Sequence, residues 1–202
     1  MEIINNVIKD IDEQINSLPR EDFLNCVVQH QKLSTIDVDN SENVYFKKSN
    51  LKNAGNGVFA KKDFNPGDII CFYPPYIIVD KETKQICSLD KEKKTYKEIM
   101  AEYGDYMLNL KQDIAVFGNP DFIRNKNYLG HMPNGRGYSP FKIYNDKFNN
   151  GFFSFLFLIC SKPIKKDKEI YISYGTKYWY NIHPLLKTSR HLKIKTDIKK
   201  NK

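Results

Sequence analysis

Cysteine is scarce and scattered: Cys26, Cys71, Cys87 and Cys160 lie far apart in a chain of 202 residues. No Cys-x-x-Cys or Cys-x-Cys spacing occurs, which argues against a disulfide scaffold and a structural zinc cluster and leaves four free thiols of a reducing compartment. Long apolar runs are missing too. The longest, Phe152 to Cys160, is broken by Ser154, whereas a membrane-spanning helix needs about 20 such residues. The start, MEIINNVIKDIDEQ, mixes acids with apolar residues and lacks the layout of a signal peptide. These absences point to a soluble intracellular protein of nucleus or cytoplasm, with no membrane partner. Nucleotide signatures are absent as well. The Gly-x-Gly at Gly55 and Gly57 has neither the third glycine of a dinucleotide fingerprint nor the Gly-Lys-Ser/Thr of a phosphate loop. His30, His183 and His191 form no triad and no metal spacing, and no metal is expected. No internal repeat or low-complexity segment is visible.

What is present is a chain with 41% hydrophobic and 13% aromatic residues and a formal charge of +8. That length and composition fit one folded domain with short appendages. The charge is uneven. Residues 187–202 hold seven basic side chains and one acidic, so they carry +6 of the +8. The excess is a tail, not a basic face of the fold.

Ile4, Val7, Ile8, Ile11, Ile15 and Leu18 recur at helical spacing until Pro19, and Phe23, Val27 and Val28 continue the pattern between Arg20 and Gln31. Residues 1–42 therefore read as a helical preface. From Val44 the pattern becomes short β-branched and aromatic runs: Val44 to Phe46, Gly57 to Ala60, Ile69 to Phe72, Tyr76 to Val79, Phe152 to Cys160 and Glu169 to Ser173. Turn sequences such as Asn65-Pro-Gly-Asp separate them. Many short strands without regular intervening helices predict a β-rich α+β domain. The charged stretch from Lys81 to Lys97 reads as a solvated helix or surface insertion.

Three segments carry the chemical argument jointly. The first is Gly55-Asn56-Gly57-Val58-Phe59-Ala60, continued by Phe64, Gly67, Ile70 and Tyr73. The second is Asn127-Tyr-Leu-Gly-His131-Met-Pro133-Asn134-Gly135. The third runs from Ile164 through Lys168-Glu169-Ile170 to Tyr174-Gly175, then Tyr178-Trp179. Each alone is an ordinary turn or strand. In this order and separation, with Tyr106 to Leu110 between, they resemble the SET-domain protein lysine methyltransferases over about residues 43–180. Departures are equally visible. Gly135 stands where the family has the histidine of its Asn-His pair, His131 where an arginine is frequent, and Pro133 where an aliphatic residue is usual. No cysteine cluster follows Tyr174, so the zinc-binding post-SET module is absent.

The resemblance implies small curved β-sheets with a pseudoknot over 43–180, set between the helical preface (1–42) and a basic tail (181–202). It implies S-adenosylmethionine as cofactor, held by Gly55, Asn56, Gly57, His131, Asn134, Gly135 and Tyr174, with Trp179 or Leu185 over the adenine. Tyr174 is the implied catalytic residue, and Tyr73, Tyr106 and Tyr178 the implied walls of a lysine channel. A tyrosine-lined channel suits the chemistry: burial disfavours an ammonium, and ring faces still attract a cation. The implied partner is a lysine-bearing protein, a histone tail or another. Two other readings stand beside it. One is a non-catalytic scaffold that keeps the fold. The other is weak, non-specific nucleic-acid contact through residues 187–202. The Lys- and Asn-rich single-domain chain is similar in composition to SET proteins of large viruses or AT-rich protists.

Overall fold

The computed structural model describes residues 10, 13–51, 54–88, 94–121, 123–135, 138–139, 142–143 and 149–174. Helix α1 spans Arg20–Ser34 and starts at Pro19, whose fixed φ of −52° suits a helix entry. Its buried Phe23 and Val27 enter a cluster with Tyr73, Ile78, Val116 and Leu156. Gln31 Nε2 donates to the Tyr76 carbonyl at 2.7 Å, and Asn125 Nδ2 to the Leu33 carbonyl at 2.9 Å. The helix is thus built into the domain that follows it.

Strands β1 (Val44–Lys48) and β2 (Asn56–Ala60) form an antiparallel hairpin. Near its turn, Gly55 has φ +68°, where a side chain is disfavoured. β3 (Ile69–Phe72) pairs with β11 (Phe157–Cys160), which pairs with β10 (Gly151–Ser154). A third sheet is ordered β4 (Ile77–Asp80), β6 (Ile114–Phe117), β5 (Met107–Asn109). Helix α2 (Tyr96–Tyr103) precedes β5, started by a capping box between Thr95 and Glu98. The helix therefore begins near the end of the charged stretch, where Ile99 and Tyr103 can be buried. β8 (Tyr138–Ser139) and β9 (Lys142–Ile143) make a two-stranded ribbon. The expected single strand from Phe152 to Cys160 is a hairpin instead. It reverses at Phe155, with φ +50°, because that ring packs edge-on to Phe23 at 5.5 Å. Aromatic burial overrides turn propensity there.

β12 (Glu169–Ile172) is the organising strand. It pairs antiparallel with β2 (Glu169 with Phe59, Ile170 with Val58) and parallel with β7, Asn134–Gly135 (Tyr171 with Asn134, Ile172 with Gly135). Segments 55–60, 134–135 and 169–172 thereby become neighbours. Ile170 and Ile172 face a core with Val58, Phe64, Leu129 and Leu158.

An internal repeat that sequence comparison misses is plain in the backbone. β2–turn–β3 and β11–turn–β12 clasp each other with a constant offset of one hundred residues. Phe64 N–H donates to the Ile164 carbonyl at 2.8 Å and Ile164 N–H to Phe64 at 3.0 Å. Ala60 N–H donates to Lys168 and Cys160 N–H to Asp68; Gly67 N–H donates to Cys160 and Asp167 N–H to Ala60. Gly67 and Asp167 hold the same position in the two turns, at φ +98° and +63°. Asparagine and aspartate are the residues other than glycine that best tolerate that region. This explains how one turn does without glycine.

Candidate active site

Two groups of side chains carry the site, one where β2, β7 and β12 meet and one reached through Pro133, the residue before β7. The first centres on Glu169, only 3% exposed. Its carboxylate accepts from Ser49 Oγ at 2.5 Å, the Asn50 N–H at 2.8 Å, Tyr171 Oη at 2.8 Å and Asn134 Nδ2 at 3.4 Å. Among the described residues no cation pairs with it; four donors satisfy it instead, as a buried carboxylate requires. Asn134 Nδ2 also donates to the Asn56 carbonyl at 2.9 Å. A Cβ on Gly57 would overlap Glu169 Oε1 and stand 3.1 Å from Asn134 Nδ2. Gly57 therefore makes room for the carboxylate, whereas Gly55 and Asn56 are exposed. Asn150 ties the strand down: its Oδ1 accepts from the Tyr171 N–H at 2.8 Å, and its Nδ2 donates to the Glu169 carbonyl at 3.2 Å.

The second group is aromatic. Tyr174 is half-buried, and its hydroxyl donates to the Pro133 carbonyl at 2.9 Å. Proline at 133 leaves that carbonyl available while removing an N–H. Tyr73 is almost fully buried; its hydroxyl donates to the Tyr106 carbonyl and accepts from the Gly118 N–H at 3.0 Å. Burial pushes the Tyr73 phenol well up; the Gly118 bond opposes this, and the nearby Tyr174 and Tyr106 phenols reinforce it. Tyr106 is half-buried and likewise raised, first by burial and then by Asp105 and Asp121. The His131 ring lies edge-on to Tyr73 and Tyr106, with centroids at 6.3 and 6.4 Å. Among the described residues its two buried ring nitrogens have no completed hydrogen bond. Burial pushes its pKa down to about 4, with the Asn119 backbone pulling weakly the other way. His131 is thus a neutral imidazole.

The residues expected from the sequence fall into these two groups. Gly55 precedes β2, Asn56 and Gly57 open it and Asn134 and Gly135 form β7, with the Asn134 amide reaching the Asn56 carbonyl; Tyr73 and Tyr106 flank His131, and Tyr174 lies near Tyr73. His131 contacts the tyrosines and Gly118. Tyr178, Trp179 and Leu185 lie outside the described residues. The sequence reading gave no role to Glu169, Pro133 or Gly118. For Glu169 the signal was present: one acid at the head of the apolar strand Glu-Ile-Tyr-Ile, with burial on every residue. Gly118 carried no such signal. A Cβ there would stand 2.7 Å from His131 Cβ and 3.1 Å from Tyr73 Oη.

The residues present fit a ligand with a polar, amino-acid-like end. Gly55 and Asn56 are exposed, the Asn134 side-chain amide is fixed beside them, and the Tyr174 phenol is held by Pro133, the residue before that amide. Among the described residues no His, Cys, Asp and Glu cluster could hold a metal ion, and no helix is long and apolar enough to cross a membrane. A solved Plasmodium falciparum structure, named a "putative histone methyltransferase", is similar at 20% identity. The match covers 69% of this chain and 99% of that one, with a TM-score of 0.39. No curated protein matches the chain. The SET domain model matches residues 55–175, more than half of the chain and all three converging segments. The chain therefore belongs to the SET domain family, whose members are generally protein lysine methyltransferases.

Proposed function

We propose that this protein transfers a methyl group from S-adenosylmethionine to the ε-amine of a lysine in another protein. One observation carries the reading: β12 lies between β2 and β7, so the Gly55 loop, Asn134 and Tyr174 converge from distant parts of the chain. When bound, S-adenosylmethionine supplies a sulfonium methyl group open to in-line attack by a neutral amine. The protein has to align donor and acceptor, exclude water and favour the deprotonated amine. Gly55, Asn56, Gly57, Asn134 and Gly135 would hold the cofactor, and Tyr174 would orient the reacting centre from the fixed position its Pro133 bond gives it. Tyr73 offers a ring wall only, since its hydroxyl is committed to Tyr106 and Gly118. Tyr106 and His131 complete a lining that is neutral near physiological pH. Such a lining disfavours an ammonium by desolvation, while ring faces still attract a cation by about 0.5–2 kcal/mol each. Tyr178 and Trp179 keep their proposed places as a further wall and an adenine cover.

Histone tails are one substrate class among lysine-bearing proteins. Phosphate binding by the tail at 187–202 is a separate, compatible proposal, tested by deleting it and measuring DNA affinity. The central test is radiolabelled methyl transfer to core histones and cell lysate, with Tyr174→Phe beside wild type. Labelled protein with wild type and a loss of at least tenfold in the variant is the expected result, about the scale of one positioning hydroxyl. Equal labelling removes Tyr174 from the mechanism. No labelling, together with no S-adenosylmethionine binding by calorimetry, leaves the non-catalytic scaffold.

A further inference from the structure

We propose that the two lysine-bearing turns that clasp each other form a docking surface for the phosphate backbone of duplex nucleic acid, separate from the tail at 187–202. Outside that tail the chain carries only +2 of the formal +8. The near-balance conceals a segregation that the fold creates. Residues 61–63 bring Lys61, Lys62 and Asp63, residues 165–168 bring Lys165, Lys166, Asp167 and Lys168, and β1 adds Lys47. Six lysines against two aspartates make a local charge of +4, so the rest of the body is left at −2. Backbone and side-chain bonds hold these segments together. Phe64 and Ile164 exchange bonds at 2.8 and 3.0 Å, and the Asp167 N–H donates to the Ala60 carbonyl at 2.8 Å. Asp63 spans the two turns, accepting from Lys165 Nζ at 2.6 Å and from the Lys166 N–H at 2.8 Å. Asp167 accepts from Tyr45 Oη at 3.0 Å. Both aspartates are thus engaged within the cluster. Lys62, Lys166 and Lys168 are exposed, with no carboxylate partner among the described residues.

The chemistry of the surface selects the partner. Protein interfaces are depleted in lysine and built round apolar or aromatic anchors. None of the exposed large hydrophobic side chains, Leu33, Ile36, Ile69 and Phe152, belongs to these segments. Ammonium groups on flexible stems suit phosphates, which they contact without reading bases. A single strand needs an open ring on which bases stack. The Tyr45 ring is instead stacked on Phe59 at 5.7 Å, with Lys47 Nζ 5.4 Å from its centroid. A duplex backbone is the occupant that fits. Residues 165–168 lead straight into β12 at Glu169, whereas Tyr174 follows the strand's other end. The surface and the phenol therefore lie at opposite ends of one strand, and the inference does not depend on the methyl-transfer reading.

The test is fluorescence anisotropy of the full chain with a labelled duplex of about 20 base pairs, between about 50 and 200 mM salt. Lys62→Gln, Lys166→Gln and Lys168→Gln together should weaken binding about tenfold or more at the low-salt end. They should also lower the slope of log affinity against log salt by about 2–3, roughly one phosphate contact per lysine. Arginine at the same three positions should keep affinity within about threefold, since the charge is retained. A control triple on exposed lysines elsewhere, Lys32→Gln, Lys97→Gln and Lys111→Gln, loses the same charge and should leave the slope unchanged. Equal losses in the two glutamine triples show that only net charge matters and overturn the proposal. So does a first triple that binds like wild type, which leaves the tail as the contact, and so does a wild type that binds no duplex. Binding of polyglutamate but not of duplex, lost in the first triple alone, also overturns it and assigns the surface to an acidic protein. Should the first triple show no cooperative melt, the three single variants carry the comparison, each lowering the slope by about 0.9.

Discussion

His131 should make this protein acid-sensitive in a measurable way. Its imidazole is 7% exposed, packed between Tyr73 and Tyr106, with its pKa pushed down to about 4 against an ordinary 6.5. The folded pKa lies below the unfolded one. Between those values the unfolded chain therefore binds the extra proton, and stability falls as pH falls. The contribution is intact above 6.5, declines through the window down to about 4 and levels off below it. At about pH 5 the unfolded ring is nearly all protonated and the folded ring nearly all neutral, so about 2 kcal/mol of stability is lost. His30, also lowered by burial, adds a loss of the same sign. Comparing variants separates the two. His131→Gln replaces the ring with a group neutral at every pH, so the common contributions cancel in the difference between curves. Urea denaturation of wild type and variant across the window gives both curves. The gap should narrow by about 2 kcal/mol from neutral pH to pH 5, because only wild type carries the titrating ring. Parallel curves would refute the argument, since they would show that the ring ionises in the fold as freely as in water.

Other expectations follow from single contacts. Tyr174→Phe removes a half-buried hydroxyl bonded to the Pro133 carbonyl and should cost about 1 kcal/mol or less in a thermal melt, far less than its effect on methyl transfer. Gly130→Ala would press a methyl to 2.8 Å from the Phe72 carbonyl and 2.9 Å from Tyr73 N and Cα. These are backbone atoms that cannot step aside, so a loss of about 1–3 kcal/mol is expected by denaturation. Phe23→Ala empties a fully buried aromatic site and should cost about 3–5 kcal/mol. A chain beginning at residue 43 loses Phe23, Val27 and the Gln31 and Leu33 bonds together. It should show no cooperative melt; a melt within a few degrees of wild type would show that α1 is dispensable.

The fold was legible wherever one local signal settled the matter. Pro19 with the Phe23–Val27 spacing marked α1, and Asn65-Pro-Gly-Asp marked a turn that the structure closes through Asp68, which accepts from the Asn65 N–H at 2.7 Å. β4 was legible in the apolar run from Tyr76 to Val79, but its partner β6 was not. Ile114 to Phe117 is short and follows Gln112 and Asp113, both at positive φ, which look like loop until pairing with β4 is seen. The run Phe152 to Cys160 shows the opposite failure. Its composition is all strand, and only the pocket around Phe155 makes it turn. The site divides in the same way. Tyr174, Asn134 and the Gly55 loop were recoverable because their order resembles a family. The acceptor arrangement around Asn134 and the burial of His131 depend on segments far apart in sequence, and no local pattern reports them.

The register of β12 links stability to the site. Side chains alternate across a strand, so Ile170 and Ile172 share one face and Glu169 and Tyr171 the other. The isoleucines are buried with Val58, Leu129 and Leu158, while the Tyr171 hydroxyl returns to the Glu169 carboxylate at 2.8 Å. A slip of one residue would drive Glu169 into the apolar cluster and set both isoleucines among the hydrogen-bonding partners of the other, equally buried face, leaving those partners unpaired. The parallel pairing of Tyr171 with Asn134 is then fixed by hydrophobic contacts that touch no ligand. The two anchored ends of the segment are the carboxylate that meets the Asn134 amide and the phenol held by Pro133. They lie five residues apart on one continuous stretch, so the site needs no separate device to align them. Core packing at Ile170 and Ile172 is therefore also what places the chemistry.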